Sequence, residues 1–77
     1  MDERYLKDDF DSCLAHVVEE CGEVIAAAGK TQRFGRWSTH PDKPDGETND
    51  EWLRRELMDL LAAVVRLSQV AQREDRR

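Results

Sequence analysis

The sequence predicts an all-α protein: an antiparallel hairpin of two long helices with a long connecting loop, assembling as a homo-oligomeric four-helix bundle. Three observations carry this prediction. Apolar residues recur at steps of three and four in two long segments. A stretch of turn formers separates them. The second segment is apolar over more than one face, which a single partner helix cannot cover.

The first helix is expected over about residues 3–28. Leu6, Phe10, Cys13, Leu14, Val17, Cys21, Val24 and Ala28 form its stripe. Ala26, Ala27 and Ala28 favour helix strongly, and Gly29 offers a C-terminal stop. Gly22 costs about 1 kcal/mol relative to alanine inside a helix, so it points to close approach of a helix or a ligand.

Residues 29–48 have no usable periodicity. Ser38 to Gly46 is rich in turn formers, and so long a connection is functional or disordered. The second helix is expected over about residues 49–73, opened by a capping box of Thr48 and Glu51. Its stripe is Leu53, Leu57, Leu60, Val64, Leu67 and Ala71, with Met58, Leu61 and Val65 to one side. The tail beyond Arg73 is charged and expected to fray.

A chain of 77 residues is one domain at most and gains from association. Its net charge of −5 argues against nucleic acid as the main partner, because no basic face stands out. An acidic chain handling a phosphorylated substrate needs a divalent cation to cancel repulsion. On one helix, Cys13 and Cys21 would lie about 12 Å apart along the axis, too far for a disulfide. Both are read as buried and reduced. The N-terminal residues lack the apolar stretch of a signal peptide, and no run approaches a membrane span. A soluble cytoplasmic protein is the expectation.

The residues with chemistry are acidic. Glu20 and Glu23 stand at i, i+3 on the first helix, and Glu56 and Asp59 do so on the second. Each pair projects from one side of its helix, beside the apolar stripe. In an antiparallel pair all four meet at one level. Acidic pairs are common on solvated faces. Here two pairs flank two apolar seams, and carboxylates so placed repel unless a cation joins them. Hard oxygen donors suit Mg²⁺, with Mn²⁺ as the alternative, over zinc. Such a centre supports attack of water on a phosphoanhydride.

These motifs carry a resemblance. Glu19-Glu20-Cys21-Gly22-Glu23-Val24 and Arg55-Glu56-Leu57-Met58-Asp59-Leu60-Leu61 resemble the two acidic motifs of the all-α nucleoside triphosphate pyrophosphohydrolases, a superfamily that includes MazG-like proteins, dimeric dUTPases and phosphoribosyl-ATP pyrophosphatases. The likeness spans about residues 14–67. It implies that Glu20, Glu23, Glu56 and Asp59 hold Mg²⁺ and act in catalysis. It also implies cleavage of a nucleoside triphosphate to the monophosphate and pyrophosphate. The chain is shorter than many members, and a polar loop stands where they carry extra helices.

Lys30, Arg33 and Trp37 are the candidate substrate-binding residues. The two cations suit phosphates, and the indole suits a base. Surface charge at a helix end and a cap on the bundle core are the competing readings. Gly29-Lys30-Thr31 is not a P-loop, because the motif needs a glycine at the position of Val24. Trp52 is expected against the loop. His16, one turn before Glu20, is read as a surface histidine over a partner for the acid. A non-catalytic helical dimer that binds nucleotide or protein is the alternative function. A di-iron bundle is disfavoured, since neither acidic pair contains histidine.

Overall fold

The computed structural model describes residues 7–75. Helix α1 runs Phe10–Phe34 and helix α2 runs Asn49–Asp75. They pack antiparallel. At one end Arg66 donates to the Asp8 carboxylate at 3.2 Å, and Arg73 donates to the Asp8 carbonyl. At the other end Arg36 pairs with Asp50 at 2.6 Å.

The expected bounds of the first helix shift toward the C-terminus. Expected residues 3–6 lie outside the described residues. Residues 7–9 are not helical, and Asp9 is the N-cap, its side chain accepting from the Ser12 amide at 2.8 Å. Gly29 does not stop the helix. No neighbour crowds it, and it sits in helical conformation at a cost of about 1 kcal/mol. The turns beyond it have partners that offset this cost. Thr31 bonds back to the Ala27 carbonyl at 2.8 Å, and Lys30 and Arg33 both lie over the Phe34 ring. Termination falls to Gly35, whose φ of 99° is open to glycine and strained for other residues. Its amide donates to the Thr31 carbonyl at 2.9 Å.

The connection is therefore residues 35–48, shorter than the expected 29–48. It is tied down at several points. Asn49 donates its amide to the Ser38 carbonyl at 2.8 Å and its side chain to the Gly35 carbonyl at 2.9 Å. Thr39 and Thr48 form an isolated antiparallel bridge. Helix α2 opens on the expected capping box: Glu51 accepts from the Thr48 amide at 3.2 Å, and Thr48 Oγ1 accepts from the Glu51 amide at 3.1 Å. The helix ends at Asp75, two residues past the expected position.

The seam between the helices is rotated from the expected stripes. On α1 it follows Cys13, Val17, Glu20, Val24, Ala27 and Thr31, all buried or half-buried. On α2 it follows Leu53, Glu56, Leu60, Ala63, Leu67 and Val70, again buried or half-buried. Both step by alternating fours and threes, the spacing of helices that cross at a shallow angle. Glu20 and Glu56 therefore occupy the seam itself, where the expectation put them on its flank. Leu14 and Leu57, expected in the stripes, are 41% and 46% exposed. Cys21, expected buried, is exposed; Cys13 is buried, and both are free thiols.

The hairpin measures 51 × 21 × 15 Å, so it is a slab one helix thick. One broad face of it is apolar. Leu14, Val18 and Ile25 follow the α1 seam by one residue, and Leu57, Leu61 and Val64 do the same on α2. A step of about 100° in the same chain sense on antiparallel helices turns both rows to the same side. All six are exposed, Ile25 at 71%.

Candidate metal centre and adjoining cleft

Glu20, Glu56 and Asp59 each offer a carboxylate oxygen, and these oxygens lie within 4.8 Å of one another. Helix α1 supplies the first at a seam position, and α2 supplies the other two one turn apart. Glu56 is 5% exposed, the one charged residue buried among those described. Asp59 is exposed and closes the group on the solvent side. Glu23 is exposed too and lies outside this group. Like Asp59 it is three residues past a seam position, which turns it toward the side opposite the apolar face.

Each seam acid has a partner. Arg55 Nη1 donates to Glu56 Oε1 at 3.0 Å. His16 Nε2 faces Glu20 Oε1 at 3.3 Å. Arg66 Nη1 approaches His16 Nδ1 at 3.4 Å. Donation from Arg66 to Nδ1 leaves the ring proton on Nε2, aimed at Glu20. His16 is thus a neighbour of the acid, against the expectation of a plain surface histidine. Burial raises the Glu20 carboxyl above its usual range, and the Asp59 and Glu56 charges add to the rise while His16 opposes it. Desolvation at the seam is the larger cause, and the neighbouring like charges add to it. Three hard oxygen donors from two helices, one of them buried, fit a small divalent cation.

A cleft of about 990 Å³ lies at the loop end of the hairpin. Lys30 and Phe34 of α1, residues 38–43 of the loop, Glu47, Asn49 and Trp52 line it. Trp52 stands one helical turn before Glu56, so the cleft ends about one turn from the acids, which do not line it. Of the expected substrate-binding residues, Lys30 lines the cleft. Arg33 lies over Phe34 with its guanidinium carbon 5.5 Å from the ring centre, and it bonds the Gly29 carbonyl at 3.4 Å. Trp37 does not cap the core: it is 67% exposed, with Arg36 stacked 4.5 Å from its ring centre. Neither Arg33 nor Trp37 lines the cleft. Phe34 and the 38–43 turns have no periodic signal in the sequence. Trp52 has one, since it repeats the Glu56 position a turn earlier.

The chain matches the family model of the MazG nucleotide pyrophosphohydrolase domain over residues 8–76. It belongs to the MazG family. Comparison with curated proteins and with solved structures gave no match. The match to the MazG domain covers both acidic segments and the loop between them. A metal-dependent nucleotide pyrophosphohydrolase family and an acidic cluster on two facing helices agree in kind. Among the described residues no helix is long and apolar enough to cross a membrane.

Proposed function

We propose that the protein is a Mg²⁺-dependent pyrophosphohydrolase that converts a nucleoside or deoxynucleoside triphosphate to the monophosphate and pyrophosphate. One observation carries the reading: three carboxylates from two helices within 4.8 Å of one another, with Glu56 buried at the seam. Glu20, Glu56 and Asp59 would hold the cation, with Glu23 one turn from Glu20 as the further ligand. A bound Mg²⁺ would polarise the phosphoanhydride and offset the charge of the departing pyrophosphate. The chain's own residues orient the parts. The seam fixes Glu20 and Glu56, and His16 holds one oxygen of Glu20. The cleft seats the nucleoside, with Trp52 and Phe34 as aromatic surfaces and Lys30 as a cation near the phosphates. Arg33 and Trp37 do not line the cleft and take no part in this arrangement.

A second copy of the hairpin, packed on the apolar face, would complete a four-helix bundle. The six exposed apolar residues of that face support this assembly. The same face supports the alternative reading, a non-catalytic dimer.

Pyrophosphate release from a panel of NTPs and dNTPs with Mg²⁺ tests the reading. Glu56→Gln keeps the shape of the side chain and removes its charge, and we expect a loss in kcat/KM of about a hundredfold or more. Nucleotide binding in calorimetry without turnover, and unchanged by Glu56→Gln, would favour the non-catalytic module.

A further inference from the structure

Arg55 stands between the acids and the cleft. Its Nε and Nη2 donate to the two oxygens of Glu47 at 3.0 and 3.1 Å, a bidentate fork. Its Nη1 donates to Glu56 Oε1 at 3.0 Å. Glu47 lines the cleft and Glu56 belongs to the acidic group, so one guanidinium spans both. An arginine guanidinium stays protonated at every working pH, so this cation is permanent. The chain between a nucleoside in the cleft and a cation on the acids is the triphosphate itself. It would pass where this guanidinium lies.

Resting on the reading above, we propose that Arg55 is a positioning residue that couples metal binding to triphosphate binding. Without ligand its Nη1 occupies an oxygen of Glu56 and supplies part of the positive charge the acids need. A divalent cation arriving alone must displace it and meets its repulsion. A cation arriving with a triphosphate brings phosphate oxygens to which Nη1 transfers, while the Glu47 fork keeps the guanidinium in place. The site thereby favours the metal–triphosphate complex over the bare metal ion. Arginine suits this role because its planar fork grips Glu47 and still leaves the N–H groups of Nη1 to exchange one acceptor for another.

The test is the binding of Mn²⁺ alone, read by electron paramagnetic resonance, and of the preformed Mn²⁺–tripolyphosphate complex, read by calorimetry. Both are measured on the full chain and on Arg55→Gln and Arg55→Lys. Arg55 is exposed on the polar side of the hairpin, so the substitutions remove its bond to Glu56 and leave the apolar seam residues in place. We expect a crossover. Arg55→Gln binds Mn²⁺ alone about threefold to tenfold tighter than the native chain, yet binds the tripolyphosphate complex about tenfold weaker. Arg55→Lys restores part of the tripolyphosphate affinity, and Glu47→Gln, which releases the fork, lowers it severalfold. A merely structural role would weaken both ligands together in Arg55→Gln, and that result overturns the proposal. So does an Arg55→Gln chain that binds both as the native chain does, while the metal centre stands. A native chain that takes up neither probe removes the metal centre, and the proposal with it.

Discussion

Among individual residues, Glu20 has the environment most open to measurement. Burial and the charges of Asp59 and Glu56 raise its pKa in the folded chain above the ordinary 4.5. A raised acid favours folding while it is protonated. That contribution is complete below pH 4.5 and is lost as pH climbs through the folded value. Asp9, Glu47 and Asp50 behave oppositely. The Ser12 amide, Arg55 and Arg36 respectively lower them, so their contribution is lost as pH falls below about their usual 3.8 to 4.5. Metal-free protein should therefore melt highest near the crossing of these windows and lose stability toward neutral pH. Thermal melts against pH check this. Glu20→Gln should flatten the fall on the neutral side and leave the acid side unchanged. Added Mg²⁺ should restore the native chain at neutral pH more than it restores Glu20→Gln. A variant that keeps the native neutral-side slope would place the strain on some other group.

The two helices divide their glycines between opposite uses. Gly35 ends α1 in a positive-φ conformation, whereas Gly29 sits inside α1 with open space around it. Gly35→Ala should destabilise by about 1 kcal/mol through backbone strain. Gly29→Ala should stabilise by a similar amount through helix propensity. Denaturant unfolding monitored by circular dichroism measures both, and equal signs would contradict the assigned helix end. This pair also marks how far the sequence is legible. Two helices, a polar connection and the Thr48–Glu51 box follow from local pattern. The end of α1 does not, because the Asn49 side chain, fourteen residues away, donates to the Gly35 carbonyl at 2.9 Å, and that contact is tertiary. The four acids stand out by spacing alone. That Glu20 and Glu56 lie in the seam, and Glu23 outside the group, depends on the rotation of each helix. Each helix carries two adjacent apolar rows, so periodicity alone leaves that rotation ambiguous.

Across the whole molecule, the slab has two unlike faces. Glu23, Asp59, Arg55 and Lys30 belong to one side, and Leu14, Val18, Ile25, Leu57, Leu61 and Val64 to the other. The fully or nearly buried apolar residues, Cys13, Ala27, Ala63 and Val70, are small or medium in size and offer one hairpin a thin core. Burying a large aliphatic side chain contributes about 1.5 to 3 kcal/mol. Covering the apolar face would therefore supply much of the stability that the seam lacks, while leaving the acidic groove open. Leu61, 55% exposed near the middle of α2, is the residue to probe. Leu61→Glu should reduce the particle to a single hairpin in sedimentation equilibrium and lower the Tm, and native Tm should rise with protein concentration. The introduced carboxylate would point away from the acids, so lost activity would report lost assembly and not altered chemistry. Raising protein concentration would then recover part of it. A native chain that sediments as one hairpin, melts independently of concentration and tolerates Leu61→Glu would leave the seam, with its two acids, to hold the fold alone.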